Sequence, residues 1–508
     1  MEINIKNGTL PLCNAVCRIK NNFSAECDVI VPDSKPDISK VLQVSARPKV
    51  TNTETRNGHV IVSGSISFDI LYLADNEEKC VESITSSCEF SNLVKDSNIS
   101  DSFLTFADVD VSDLICNVAN CRKLSLKASL LTNTRVYSSR NIEVINEIEG
   151  ACTKKVSLSS DVICAHAQDN AQVTDSFSLA AGKAPVVKIL KADASVTESN
   201  VKIIDDKAIV KGVLRVFILY QSESKIEHAQ TEIPFANVLE AEGIREDMNC
   251  EHTVRVTDIS SAVSKDAEGL DCIIDFSAQI FMRVIARATT ITECVEDAYI
   301  PHGALECNSS LISVDSVETV INRDTDFREK ISLPEYLPPI EAIYQVVARP
   351  FTQSCVSEGG KLKVTGYTEI YLLYLSDDNT APVCSHKANI DFAIECESPG
   401  CMLTPVASCR LLNISYTIND AHTVEVRGSI ESEVQCIRTT ESDIIYSASK
   451  SEYTPPQRPS IIVSCIHSGR SLWDIAKEYR VRAEDILSAN ALENEEAISK
   501  GATLIIPK

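Results

Sequence analysis

Cysteine and histidine are the residue types in this chain with the widest chemical potential. The sequence has 20 cysteines and eight histidines but no Cys-x-x-Cys pair, and Cys164-x-His166 and Cys384-x-His386 place the two types at ligand spacing. A tetrahedral zinc site needs two such pairs close together, and neither has a second pair nearby. The sequence therefore predicts no metal, no cofactor, and thiols that pack as small hydrophobic side chains.

Motifs for catalysis are also missing. Nucleophilic catalysis needs a nucleophile beside a base that a third group orients. The sequence has no Gly-x-Ser-x-Gly, no Gly-Lys-Ser/Thr phosphate loop and no His-Glu-x-x-His. Asp33 and Asp37 resemble a carboxylate pair, but Glu335 and Pro339 stand at the equivalent positions later in the chain, which is typical of turn and cap residues. We expect no enzymatic activity.

The net charge of the chain limits which classes of partner it can bind. The formal net charge is −24, and a surface this acidic repels nucleic-acid phosphates and anionic lipid heads. No apolar run approaches the roughly 18–20 residues that span a bilayer, and the N-terminus lacks the basic and apolar regions of a secretory signal. We therefore expect a cytoplasmic protein with reduced thiols, no nucleic-acid partner and no membrane insertion.

One β-rich stretch occurs three times and organises most of the chain. In each copy a tyrosine lies eight residues after a glycine. A glycine inside a strand marks a bulge or the close approach of another backbone. The three pairs, which we interpret as structural anchors of a repeat, are Gly64 and Tyr72, Gly212 and Tyr220, and Gly366 and Tyr374.

Alternating apolar and polar residues predict antiparallel sheets with one wetted face. The predicted fold class is mainly β, with three tandem β-sandwich-like repeat modules followed by a small α+β (βααβ) domain. Short helices are predicted at 37–44 and 340–346, where apolar residues recur three or four apart after a proline. The predicted division is 1–140 for an N-terminal segment and module 1, 141–292 for a connector and module 2, 293–445 for a connector and module 3, 446–460 for a Pro-rich linker, and 461–508 for the C-terminal domain.

Residues 461–508 predict the order strand, helix, helix, strand. Ser471 and Asp474 have the spacing of a capping box, and from Leu472 onwards apolar residues recur at helical spacing. A second helix is predicted over 483–490. This pattern indicates a small independent core at the end of the chain.

This C-terminal region resembles a LysM domain in the run from Ile466 to Ala476, which includes Gly469-Arg470-Ser471-Leu472-Trp473, and again in 501–507. LysM domains bind N-acetylglucosamine-containing glycans through the loops before the first helix and after the second. Arg470 replaces an acidic residue that is usual in the family, and Ser464 replaces an aromatic one, which weighs against glycan binding. The resemblance implies glycan-loop positions at Gly469, Arg470, Ser471, Leu472, Asn490, Ala491, Leu492 and Ile498.

Trp473 is the single tryptophan of the chain. Its ring can cover a small core or anchor a protein interface. We interpret the first helix of the C-terminal region as a partner-binding site formed by Ile462, Trp473 and Lys477.

The repeats followed by one LysM-like region resemble the SPOCS-domain proteins of endospore-forming bacteria. The resemblance rests on Pro334-x3-Pro338, on Ala-Arg-Pro at 348–350 and on the Gly366–Tyr374 run. It implies a non-enzymatic scaffold for coat assembly, in the mother-cell cytoplasm at the forespore surface and in the spore coat. The implied partners are the coat-basement ATPase SpoIVA, bound through the LysM domain, and other coat proteins. The alternative is a protein that binds cortex or cell-wall peptidoglycan through the LysM domain.

Overall fold

The computed structural model describes residues 3–76, 80–376, 378, 380–400, 403–454, 459, 462–465, 470–495, 498 and 503–507. The first six strands are β1 (Asn4–Ile30), β2 (Ile38–Arg56), β3 (His59–Ala74), β4 (Val81–Lys95), β5 (Leu104–Asn120) and β6 (Lys123–Glu149). The next six are β7 (Cys152–Ser178), β8 (Lys188–Ile204), β9 (Lys207–Gln221), β10 (Ile226–Glu240), β11 (Asn249–Ser264) and β12 (Ile273–Tyr299). Then come β13 (Ala304–Ser332), β14 (Ile340–Glu358), β15 (Lys361–Ser376), β16 (Val383–Glu397), β17 (Leu403–Asp420) and β18 (Thr423–Ser451). The C-terminal region contains β19 (Ile462–Cys465), α1 (Leu472–Tyr479), α2 (Ala483–Ala489) and β20 (Thr503–Ile506).

The strands form three pairs of three-stranded antiparallel sheets with one repeated topology. In the first pair the strand orders are β1-β6-β5 and β2-β3-β4, and the second and third pairs repeat them as β7-β12-β11 with β8-β9-β10, and β13-β18-β17 with β14-β15-β16. The strands β19 and β20 pair separately, beside the two short helices. The predicted fold class, mainly β with a small α+β region at the end, is confirmed.

Each pair of sheets encloses an apolar core, because buried apolar side chains alternate with more exposed ones along the central strands. In β3 the side chains of Ile66, Phe68 and Tyr72 point into the first core, where they meet Leu124 and Leu126 of β6. All five are fully buried. Burial of alternate residues on facing sheets is the packing of a β-sandwich.

The repeated glycines are required by this packing. Opposite Gly64, Gly212 and Gly366 the neighbouring edge strand is bulged, at Val50/Asn52, Val196/Glu198 and Thr352/Ser354. A Cβ on Gly366 would collide with the carbonyl oxygen of Phe351 and would lie 2.6 Å from Cζ of Phe392. The other two glycines meet a bulge carbonyl and a phenylalanine ring in the same way. The expected close approach of a second backbone is confirmed.

The repeated tyrosines are fully buried, and two of them close the sandwich with a hydrogen bond. The hydroxyl of Tyr72 donates to the Pro36 carbonyl at 3.0 Å, and that of Tyr374 donates to the Pro338 carbonyl at 3.1 Å. In the described residues Tyr220 has no such carbonyl partner. Burial, together with the nearby Glu227 carboxylate, raises the pKa of Tyr220 to about 12.

The two predicted short helices are wrong. Residues 38–44 and 340–346 open the strands β2 and β14. Each opening contains two register shifts, at Ile38/Lys40 and Val41/Gln43 in β2 and at the matching positions in β14. Each bulge inserts one residue into the two-residue alternation. Two bulges close together therefore place apolar residues three apart, which imitates a helical spacing.

The three sandwiches close around one axis. Near the ends of β3, β9 and β15 the strands are apolar on both faces, and the face that points away from each sandwich meets its counterparts from the other two. We call this group the upper axial cluster. Its buried members are Leu71, Leu73, Val81, Leu190, Phe217, Leu219, Tyr344, Leu373 and Val383.

A second set of contacts on the same axis uses the long strands. The strands β6, β12 and β18 continue past residues 140, 292 and 445, and their ends pack against one another and against β1, β7 and β13. We call this group the lower axial cluster. Its buried members include equivalent residues from all three copies: Val144, Cys294 and Ile444, then Leu10, Leu158 and Ile312.

A buried ion pair also joins the first and second sandwiches. Arg283 of β12 donates to Asp108 of β5 at 2.6 Å, and both side chains are nearly inaccessible to solvent. Burial alone would raise the pKa of Asp108, but the charges of Arg255 and Arg283 outweigh it and the pKa is lowered. The carboxylate therefore stays charged at neutral pH, and it is paired across the junction.

The glycine contacts give a direct test of the repeat geometry. Gly366→Ala forces a methyl group into the bulge carbonyl and the Phe392 ring, and overpacking of this kind costs about 1–3 kcal/mol. We expect a lower urea midpoint, measured by circular dichroism. Gly400→Ala is the matched control, because a Cβ there meets no atom of the described residues within 4 Å. Equal midpoints for the two variants would contradict the assignment.

Candidate functional site: the C-terminal region and its contact with the second sandwich

Helix α1 begins at a complete capping box. The Ser471 side chain accepts a hydrogen bond from the Asp474 amide at 3.2 Å, and the Asp474 carboxylate accepts from the Ser471 amide at 2.8 Å. The carboxylate also accepts from the Ser471 hydroxyl at 2.8 Å, and the two hydrogen bonds that it accepts from Ser471 lower the pKa of Asp474. The predicted capping box is confirmed.

The core of the region is small and draws on another part of the chain. Leu472, Ile475 and Ala476 of α1 pack with Ile486 of α2, as the helical spacing predicts. Tyr299, the last residue of β12, is buried in the same apolar cluster. A residue of the second sandwich thus completes the core of the C-terminal region.

The exposed edge of α1 binds a carboxylate of the second sandwich. The Trp473 indole Nε1 donates to Asp297 Oδ2 at 2.8 Å, and Lys477 Nζ donates to both carboxylate oxygens of Asp297, at 2.6 and 2.8 Å. The Trp473 ring stands edge-on to Tyr299, with centroids 5.0 Å apart. Two of the predicted partner-binding residues, Trp473 and Lys477, therefore lie side by side and are engaged within the chain.

The connector between the helices adds further contacts to this junction. The Tyr299 hydroxyl donates to the Val481 carbonyl at 2.8 Å. The guanidinium of Arg480 donates to the Gly303 carbonyl at 2.6 Å, and the His302 amide donates to the Arg480 carbonyl at 2.9 Å. Arg480 also stacks over the Tyr453 ring. The junction therefore combines apolar packing, charge and backbone hydrogen bonds.

The third predicted partner-binding residue lies elsewhere. Ile462 is in β19, pairs with Ile506 and packs half-buried against the core of the C-terminal region. The more exposed residues of this small sheet are its neighbours Val463 and Ile505. Ile462 therefore contributes to the fold of the C-terminal region and takes no part in the contact with Asp297.

The glycan-loop positions are brought together in part. The Leu472 amide donates to Glu495 Oε1 at 3.0 Å, which joins the start of α1 to the loop after α2, and Arg470 pairs with Glu478. Ser471 serves as the cap, whereas Gly469 lies outside the described residues.

The loop after α2 is fixed by Asn490. Its side chain donates to the Ile486 and Ile505 carbonyls and accepts from the Ile505 amide, each at 2.8 Å. Ala491 adopts a positive φ of 55°. Leu492 and Ile498 pack half-buried against the core. The polar groups on this side are thus largely satisfied by the protein itself.

The chemistry available elsewhere is limited. Within the described residues no three His, Cys, Asp or Glu side chains gather as metal ligands, and no described helix has the length and apolarity to cross a membrane. Burial is the main cause that raises the pKa of Cys17, Cys250 and Cys294 to about 11. These groups are protonated at neutral pH, and a protonated thiol is a poor nucleophile.

Asp297 and Tyr299 are site residues that reasoning from the sequence missed. One sequence signal distinguishes them, because the equivalent positions are Glu147 and Glu149 in the first copy and Ser447 and Ser449 in the third. Only the second copy offers a carboxylate together with an aromatic ring.

Fold and site together define a protein of repeated β-sandwiches with a small α+β binding module at the end. Comparison with family models identifies both parts. The SipL, SPOCS domain model matches residues 37–119 and 185–264, and the LysM domain model matches 467–507. The chain therefore carries SPOCS domains of the SipL type and a C-terminal LysM domain. The third copy lies outside these matches, although its sheets repeat the same topology.

Searches of curated proteins and of solved structures each found no match to this chain. The matched domains are binding and structural modules, and no catalytic domain was identified among the matches. The SipL family implies a role in spore-coat morphogenesis and an association with coat proteins, and the LysM domain suggests peptidoglycan binding.

The capping box gives a testable prediction for the LysM domain. Ser471→Ala removes the cap of α1, which costs about 1 kcal/mol. Trp473 is the single tryptophan, so its fluorescence reports unfolding of this domain within the whole chain. We expect an earlier urea transition. Ser488→Ala, at an exposed position of α2, is the control and should leave the transition in place. The same transition in all three proteins would show that the cap is not needed.

Proposed function

We propose that this protein is a non-enzymatic scaffold for spore-coat assembly in the mother cell, at the forespore surface. The three sandwiches present surface to coat proteins, and the LysM domain docks on the coat-basement ATPase SpoIVA. The proposal is supported by the SPOCS matches followed by a LysM domain. The division of the chain into 1–140, 141–292, 293–445, 446–460 and 461–508 stays a prediction.

The observation that carries the protein-binding role is the contact of α1 with Asp297. An indole N–H and an ammonium group converge on one carboxylate, beside an aromatic ring. Tryptophan is among the residues most enriched at energetically important protein contacts. The α1 surface has the chemistry to bind a protein side chain, since it binds one within this chain.

Peptidoglycan binding through the LysM domain is the second candidate. It is favoured by the match over 467–507. Against it, the amide of Leu472 is already paired with Glu495, and Arg470 is paired with Glu478. A glycan that used these groups would first have to displace side chains of the protein itself.

Parallel binding measurements separate the two candidates. We expect the full-length protein to bind purified SpoIVA and not to sediment with insoluble peptidoglycan. Trp473→Glu removes an interface anchor and should weaken SpoIVA binding by at least about 30-fold, the equivalent of roughly 2 kcal/mol. Tyr336→Glu is the control, because Tyr336 is an aromatic residue that is 83% exposed.

Two results would contradict the proposed function. The first is an unchanged SpoIVA affinity in a Trp473→Glu protein whose circular dichroism matches the wild type. The second is binding to peptidoglycan with no binding to SpoIVA, which would make the protein a wall-binding protein.

A further inference from the structure

The partner-binding face of α1 already has an occupant. The end of β12 presents Asp297 to Trp473 and Lys477, and it presents Tyr299 to the core of the LysM domain. A protein that needs Trp473 and Lys477 cannot reach both while Asp297 holds them. An external partner that needs these groups would therefore compete with the internal contact.

A β-bulge aims these two residues at α1. In β12 the register shifts between Val295 and Asp297, so that Glu296 has no partner in β7. A bulge increases the local twist and redirects the side chains that follow it. The equivalent shifts in β6 and β18 show that the geometry is common to the three copies. Since the backbone geometry is shared, the side chains determine that α1 binds the second copy rather than the first or third.

The other two copies lack the required chemistry. Glu147 is engaged by Lys6 at 2.8 Å, and Glu149 also pairs with Lys6 at 3.0 Å. The third copy has Ser447 and Ser449, which carry neither charge nor ring. Of the three equivalent strand ends, the LysM domain thus contacts the one that has a carboxylate two residues before a tyrosine.

The ion pair of this contact is accessible to solvent. Asp297 and Lys477 keep 29% and 46% of their side-chain surface exposed, and an ion pair at such a site contributes little to stability. The buried ring of Tyr299 and the connector hydrogen bonds add to this. Strand β18 ends at Ser451, and the sequence that follows it is Pro-rich, a composition that favours an extended spacer and would keep the LysM domain tethered when it leaves.

We propose that the α1 face of the LysM domain is a protein-recognition surface for a carboxylate followed two residues later by an aromatic side chain, and that Asp297 and Tyr299 occupy it until a partner strand with this chemistry displaces them. The proposal rests on the proposed function for its external partner. It goes beyond that function in naming the chemistry of the partner and an internal competitor.

The internal contact is tested with the single tryptophan as reporter. Asp297→Ala should release α1, so that Trp473 emission shifts to longer wavelength and acrylamide quenching rises at least twofold. Glu147→Ala, at the equivalent position of the first copy, is the control and should leave Trp473 unchanged. Emission and quenching equal to wild type in Asp297→Ala would overturn the internal contact.

The recognition chemistry is tested with a peptide of residues 291–301, which contains Asp297 and Tyr299. Added to the Asp297→Ala protein, the peptide should bind and shift Trp473 emission back towards the wild-type wavelength. A peptide with Asp297→Asn and Tyr299→Ala should not bind. Equal binding of both peptides would overturn the proposed specificity.

Competition is tested with purified SpoIVA. If the docked form makes up about 90% of the molecules, its release raises the apparent affinity about tenfold. We expect this gain in Asp297→Ala and not in Glu147→Ala. Equal SpoIVA affinity for Asp297→Ala and wild type would overturn the competition. If SpoIVA binds neither protein, the proposed function fails, and the fluorescence and peptide results still decide the internal contact.

Discussion

The meeting of three apolar strand ends at one axis is the constraint on which the rest of the structure depends. In β3, β9 and β15 the residues around the repeated tyrosine are buried on both faces, one face in a sandwich and the other at the axis. A strand buried on one face can stand alone in a sandwich, but Leu71, Leu219 and Leu373 would then be exposed to water. Burying each such side chain contributes roughly 1.5–3 kcal/mol. With three copies, each sandwich covers the apolar strand ends of the other two.

The repeat can be predicted from the sequence, but the packing of the three sandwiches around one axis cannot. The glycines recur because a carbonyl of the edge strand and a phenylalanine ring leave no room for a side chain, and each sandwich repeats this requirement along the chain. The axis depends on contacts between residues that are about a third of the chain apart. The pattern of β3 shows only that both of its faces are apolar. The bulges at the start of β2 and β14 misled the prediction for a physical reason, because they break the two-residue alternation.

Some features of the LysM domain could also be predicted from the sequence, and others could not. Its capping box and its buried stripe follow from spacings within one helix and were predictable. The role of Trp473 was open between core and interface, and the structure shows a half-buried ring whose indole N–H reaches Asp297. That carboxylate lies 176 residues earlier in the chain. Its counterparts Glu147 and Ser447 indicate a difference between the copies, but sequence spacing does not reveal which copy faces the LysM domain.

The packing at the axis also affects the LysM domain, since the lower axial cluster holds the end of β12 that α1 contacts. Small-angle X-ray scattering of the full-length protein tests this closure most directly. The account predicts a pair-distance distribution with a single maximum and a scattering curve that agrees with the curve calculated from the structure. A distribution with several maxima and a long tail, typical of three sandwiches joined in a line, would contradict it.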